Sequence, residues 1–313
     1  MYFSKFFEVI FLFFSLGTVC TNAVIPSLQH SAATNVHNLV EVKTVQDVFN
    51  WVQFQVDRAG GDQAARSLSD KFSPFDVSRA LSITTSFSGI AAPEVGLRML
   101  GHYITKTTGK PTHFTVQGAV EWNLHSRDEM MHNPEHLRPQ HLWIDQTEFL
   151  NPLIRGTVFA KVEKGITVED LWSILRAPAC VLSEAECQVC SSSCSMLQSS
   201  FHCAGSPCTD YSKMPGGLQK RTAGQTILPT LVWASLCLNL EHHIILHENV
   251  DSFPVELLEL LFACAYIITS CVADLVSLGF PCRRRRRITI LIHKTMLRMP
   301  SVQWSVAVGV RVG

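Results

Sequence analysis

From residue 81 onward, short apolar and β-branched runs alternate with stretches of helical spacing, and most of the short runs end in an acid or a small residue. LSITTSFSG at 81–89 predicts a strand that turns at Ser88 and Gly89. Residues 90–104 follow with apolar positions at Val95, Leu97, Met99, Leu100 and Tyr103, the spacing of one helix face. FTVQGAVEW at 114–122 predicts a second strand ending at Glu121, and HLWIDQTEF at 141–149 a third, short one ending at Asp145. A helix over 225–240 leads into HHIILHENV at 242–250, a strand with Glu248 near its carboxyl end. Residues 254–272 predict a helix running into a strand, and ITILIH at 288–293 a last strand. Strands alternating with helices predict an α/β fold built on a doubly wound, mainly parallel sheet. Ligands of such sheets collect outside the carboxyl ends of the strands. That rule brings together Ser88, Gly89, Glu121, Asp145, Cys208 and Glu248.

The chain has 313 residues, of which 47% are hydrophobic, enough for one large domain or two smaller ones. Its formal net charge is zero, so whole-chain electrostatics select no partner, although five arginines stand together at 283–287. The eleven cysteines are unevenly placed. Cys180, Cys187, Cys190, Cys194, Cys203 and Cys208 are clustered, whereas Cys237, Cys264, Cys271 and Cys282 are scattered through apolar segments. An odd number without regular spacing argues against a small secreted disulfide scaffold and for a mostly reduced intracellular enzyme. The Cys187-x2-Cys190-x3-Cys194 spacing raises zinc, with Cys180 or Cys203 as the fourth ligand and no histidine completing an obvious tetrad. A disordered or mis-spliced insert is the preferred reading of the stretch near 150–200, and no metal ligand is assigned.

The first 23 residues have Lys5, an apolar run at 9–19 and then Thr21-Asn22-Ala23, the layout of a secretory signal peptide or of a mis-called start. Residues 24–80 form a leader of uncertain fold, with a helix-like stretch at 44–57 broken by Gly60 and Gly61. No other segment reads as transmembrane, and 257–272, interrupted by Glu259, fits a buried helix.

Cys208 lies in AGSPCTDYS, after a Gly-Ser-Pro turn, the setting in which backbone N–H groups converge on a reactive thiolate. Taken in order, FSGIAAPE, VEW, ID, GSPCTDYS, HENV and PCRRRRR resemble the cytosine-C5 DNA methyltransferases over roughly residues 81–294. The resemblance implies a Rossmann-like S-adenosylmethionine-dependent methyltransferase fold, S-adenosyl-L-methionine as methyl donor and DNA as substrate, with RNA cytosine open. It implies a nuclear location, to which the signal-like start adds a secretory or organellar alternative, and no stable membrane partner. By the same resemblance Cys208 is the nucleophile that adds to cytosine C6. Glu248 hydrogen-bonds or protonates the N3 edge of the base, and Asn249 holds the cysteine loop. Arg284 and Arg286 lie near the base and the DNA backbone. Phe87 and Gly89 form the first loop around the donor, Glu121 accepts from ribose hydroxyls, Trp122 lies against adenine and Asp145 accepts from its amino group.

The chemistry gives these residue types a common purpose. Cytosine C5 is a poor nucleophile until a thiolate adds at C6 and makes it enamine-like, which divides one high barrier into two lower ones. The sequence departs from the family at Ala91 and Ala92, where glycines are usual, at Thr209 and Cys282, where glutamine is common, and in the link of more than sixty residues between Asp145 and Cys208. The family's target-recognition region and final cofactor-side motif are not visible in residues 295–313, so the domain reads as C-terminally incomplete. Two other readings stand beside this one: a non-catalytic relative that binds nucleic acid, and a secreted cysteine-rich protein whose motif matches are accidental.

Overall fold

Seven strands line up in one sheet. The computed structural model describes residues 81–89, 91–109, 111–208, 227–274 and 285–298. In chain order the elements are β1 (Leu81–Ser86), α1 (Ala92–Thr108), β2 (Phe114–Val120), α2 (Leu124–His132), β3 (His141–Trp143), α3 (Pro152–Glu163) and α4 (Val168–Leu175). There follow β4 (Glu184–Cys187), β5 (Ser192–Ser195), β6 (Phe201–Ala204), α5 (Ile227–Leu240), β7 (Ile244–Val250), α6 (Val255–Phe262), β8 (Tyr266–Asp274) and β9 (Arg285–His293). The sheet order is β3-β2-β1-β6-β7-β9-β8; neighbours from β3 to β7 pair in parallel, and β9 runs antiparallel to both β7 and β8. The doubly wound, mainly parallel sheet expected from the sequence is therefore what the chain forms.

Local sequence fixes most of the elements. Pro93 and Glu94 start α1, where a missing N–H and an acid both suit a helix N-terminus, and Gly109 ends it in the left-handed region. Asn123, Asn151 and Thr167 cap α2, α3 and α4 through their side-chain oxygens. Helix α5, ILPTLVWASLCLNL, is apolar on every face because it is enclosed: α4, α6 and the 3-10 turn Gln146–Phe149 all pack on it. Its Leu231, Val232, Trp233 and Leu236 share one core with Ile245 of β7, Leu291 of β9 and Trp172 of α4. A smaller cluster of Ala91, Ala119, Met130 and Leu142 includes residues of α2, β2 and β3.

Two local expectations changed, those for 150–200 and for 257–272. The stretch near 150–200 is folded: α3 and α4 lead into an antiparallel β4–β5 hairpin, tied back by a bridge between Leu150 and Val181. Strand β6, polar for a central strand, holds buried His202 by giving both ring nitrogens partners, Trp233 Nε1 at 2.9 Å and Thr84 Oγ1 at 2.9 Å. The apolar segment 257–272 is helix and then strand, and no described helix is long and apolar enough to cross a membrane. The leader and first residues, Thr209, Cys282, Arg284 and the segment 299–313 lie outside the described residues.

Candidate active site

The loop after β1 departs from ordinary backbone geometry at three alternate positions. Phe87, Gly89 and Ala91 have φ of 58°, 58° and 73°. For Phe87 and Ala91 this left-handed conformation costs about 1–2 kcal/mol each, and such strain collects at functional loops. The tight turn is held against β2: Ser88 N donates to Val120 O at 3.2 Å, and Gly89 N donates to Glu121 Oε2 at 2.7 Å. A Cβ built at Gly89 would meet nothing within 4 Å, so this loop presents bare backbone to open space.

Glu121, at the carboxyl end of β2, is 5% exposed. Its other oxygen accepts from Asn123 N at 2.8 Å. Burial holds its carboxyl above the usual range, while the N–H groups of Asn123 and Gly89 and the nearby Arg127 pull the other way. Arg127 in turn donates to the carbonyls of Glu121 and Trp122 at 2.9 and 2.6 Å, fixing the strand end. Trp122 is 68% exposed, so it is not a core tryptophan. A bare glycine turn, a strand-end carboxylate and an open indole fit an adenosine-bearing group: each carboxylate oxygen has a further lone pair for a hydroxyl, and the ring has a free apolar face. Asp145 differs, because its Oδ1 caps the following 3-10 turn by accepting from Thr147 N at 2.6 Å and Thr147 Oγ1 at 2.7 Å.

Two strands along, β6 ends in the turn that carries Cys208, which is half-buried. Gly205 N donates to Ser86 O at 3.3 Å, joining this turn to the end of β1. A Cβ at Gly205 would lie 3.8 Å from Phe87 O and 3.8 Å from Glu248 Oε2, so the ends of β1, β6 and β7 meet there. Asn249 Nδ2 donates to Ser206 O at 2.9 Å and Ser206 Oγ at 3.0 Å, and His247 Nε2 is 2.8 Å from the same hydroxyl. Three consecutive residues of β7 thus serve this corner: His247 and Asn249 grip the turn, while Glu248 points to the other face. Period-two alternation of a strand produces that division.

Arg286 Nε lies 2.6 Å from Glu248 Oε1. The register pairs Val250 with Arg286 and Glu248 with Ile288, so the two are diagonal neighbours across β7 and β9. Two further arginines of the run, Arg285 and Arg287, turn to Asp251: Arg285 pairs with its carboxylate at 3.5 Å and Arg287 donates to its carbonyl at 2.9 Å.

Sequence reasoning missed several contributors. His247 and Ser206 looked like ordinary neighbours of the motif residues, and Arg127 lies six positions beyond Glu121 in a polar helix. Glu94 is fully buried in the first turn of α1, accepts from Thr85 Oγ1 at 2.6 Å, and has an Oε2 with no hydrogen-bond partner among the described residues. Burial pushes its carboxyl up to about 7, against the hydrogen bond from Thr85. Its signal in the sequence was an acid directly after a helix-starting proline.

No family model matches the chain, and no curated protein matches it. Solved structures do. A protein described as a DNA modification methyltransferase encoded within an E. coli prophage is 16% identical, with a TM-score of 0.41 over 70% of this chain and 48% of that one. The S. pombe Dnmt2 methyltransferase is 13% identical, with a TM-score of 0.37 over 68% of this chain and 51% of that one. A Spodoptera frugiperda DNMT2 mutant is 15% identical, with a TM-score of 0.37 over 68% of this chain and 50% of that one. This chain spans about half the length of each of these three.

Proposed function

We propose that this chain is a S-adenosyl-L-methionine-dependent methyltransferase acting at C5 of cytosine in DNA, through a covalent adduct between Cys208 and C6. The observation that carries the reading is the convergence at Gly205. There the Cys208 turn, gripped by Asn249, meets the strained Phe87 loop and the carboxylate of Glu248.

Gly89, Glu121 and Trp122 would hold the donor, with Phe87 shaping the loop above them. When bound, S-adenosyl-L-methionine supplies an electrophilic methyl group. Cys208, as its thiolate, would form a bond to C6 of a cytosine turned out of its helix, and the displaced π electrons would collect on C5 and the N3 edge. Glu248 would donate a hydrogen bond or proton at N3, stabilising that charge where it develops. Once C5 carries the methyl group, loss of the C5 proton and expulsion of the Cys208 thiolate would restore the ring. Arg286 would orient Glu248, and with Arg284 would contact phosphate, for which a planar guanidinium is suited.

Trapping tests the reading. An oligonucleotide with 5-fluorocytosine cannot lose a proton from C5, so the adduct persists. Wild type should form a covalent complex in the presence of the donor and Cys208→Ala should not; equal trapping by both removes the assignment. The Ala91 methyl, buried in a loop where the resemblance has glycine, favours a second reading in which the fold binds nucleic acid without turnover. A folded chain that gives no calorimetric signal with S-adenosyl-L-methionine would select it.

A further inference from the structure

We infer that His141, Cys187, Cys190 and Cys194 form a structural zinc site that clamps the β4–β5 hairpin to the edge of the central sheet. His141 Nδ1 lies 3.7 Å from Cys187 Sγ and 3.5 Å from Cys190 Sγ. One donor atom from each of the four residues lies within 4.8 Å of every other. Zinc bonds of about 2.3 Å to sulfur and about 2.0–2.1 Å to nitrogen, at tetrahedral angles, set sulfur and nitrogen ligands about 3.5 Å apart and sulfurs about 3.8 Å apart. The observed nitrogen-to-sulfur separations are those of such a tetrahedron.

The backbone is arranged around the same point. Cys187 ends β4, Cys190 lies in the turn, and Cys194 sits on β5 opposite Ala185. The turn is closed by Ser191 N donating to Cys187 O at 2.8 Å, with Ser191 at φ 52°. Three sulfurs and one imidazole are soft and borderline donors, which select zinc over magnesium or calcium. Four protein ligands fill a tetrahedron and leave no open position, so the site is structural.

Its place in the fold gives it a purpose. β3 is an edge strand, and His141 is its first residue. The hairpin already meets this edge, where Gln188 N donates to Leu142 O at 2.8 Å and Trp143 Nε1 donates to Ala185 O at 3.1 Å. A metal joining His141 to the hairpin would lock this cover over an otherwise open edge. The spacing Cys187-x2-Cys190-x3-Cys194 pointed here, but the fourth ligand is neither Cys180 nor Cys203: Cys203 is buried in β6, and Cys180 follows α4. The other group of this kind, His202, Cys237 and His242, already has both nitrogens of His202 committed to Trp233 and Thr84, and Nδ1 of His242 committed to Ser199.

The test is metal analysis of the full chain purified under reductant and incubated with zinc chloride, followed by desalting. About one zinc per chain is expected, falling at least tenfold in His141→Ala and in Cys190→Ser. His141→Cys, which offers a four-sulfur site, and Cys264→Ser, which alters an exposed thiol elsewhere, should keep it. Cobalt(II) in place of zinc should give the absorption of a tetrahedral thiolate complex in wild type, a readout that does not depend on any variant folding. A folded wild type without zinc, zinc undiminished in both ligand variants, or cobalt bound without thiolate absorption would each overturn the site.

Discussion

The guanidinium of Arg286 meets the carboxylate of Glu248 at 2.6 Å, on adjacent strands and beside the turn that leads to Cys208. Both side chains are partly exposed, so as a stabilising contact the pair contributes about 1 kcal/mol or less. Its value lies in position, because it aims a carboxylate into the corner where β1, β6 and β7 end.

Glu248→Gln is expected to lower single-turnover methyl transfer by about a hundredfold or more, the usual scale for losing a general acid. Thermal unfolding should change little. Unaltered turnover in a folded variant would remove Glu248 from the chemistry.

Asn249→Ala deletes two hydrogen bonds to Ser206 from a residue only 2% exposed. It leaves buried polar groups without partners, so about 1–3 kcal/mol of stability should be lost, read from urea unfolding. The rate of 5-fluorocytosine trapping should fall as well, since the Cys208 turn loses its anchor. A loss of stability with trapping unchanged would make Asn249 purely structural.

Ala91 is held at φ 73°. Ala91→Gly should raise stability by about 1 kcal/mol, because glycine adopts that conformation without the steric penalty. Calorimetry with S-adenosyl-L-methionine should show affinity equal to or tighter than wild type. A destabilised variant would mean that the buried methyl contributes more than its backbone strain costs.

Gly118 faces Trp143 so closely that an added Cβ would come within 2.5 Å of the indole. Gly118→Ala should therefore cost about 1–3 kcal/mol in denaturant unfolding. The same displacement would move Trp143 away from Ala185 and loosen the hairpin, seen as faster amide exchange in β4.

Stability should fall on acidification. Burial holds His202 and His247 down at about 3, and burial with neighbouring His202 and His243 holds His242 well below its usual value. Below pH about 6.5 the unfolded chain binds protons that the folded chain refuses. The stabilisation from these neutral rings is complete above that pH and declines by up to about 1.4 kcal/mol per unit for each ring as pH falls toward 3. Glu94 acts oppositely: raised to about 7, it keeps its proton when folded, and its contribution is lost as pH rises through about 7. Glu121 and Glu148, whose carboxyls burial also raises, act as Glu94 does, and His243, lowered by burial, joins the histidines. The fully buried His202, His242 and His247 carry the larger shifts, so urea midpoints should drop between pH 6.5 and 4.5; a rise would contradict the neutral histidine core.

Much of this architecture is legible in the sequence because local rules set it. Period-two and helical spacing located β1, α1, β2, α5, β7, α6 and β9, and the strand-end rule put Glu121, Cys208 and Glu248 on one edge. Those signals depend on residues close together in the chain. What required the tertiary structure depends on residues far apart. His141 stands 46 positions before Cys187, so no spacing rule connects it to the cysteines, and only the pairing of β3 beside the hairpin does. His202 sits buried in a central strand only because Trp233 and Thr84 supply partners from other elements. Glu94 and Arg127 acquire meaning only through burial, which sequence does not report. The sequence determined which elements form and which ends carry reactive groups, whereas their shared hydrogen bonds, left-handed turns and metal-ready donor set arise only when the sheet order brings distant segments into contact.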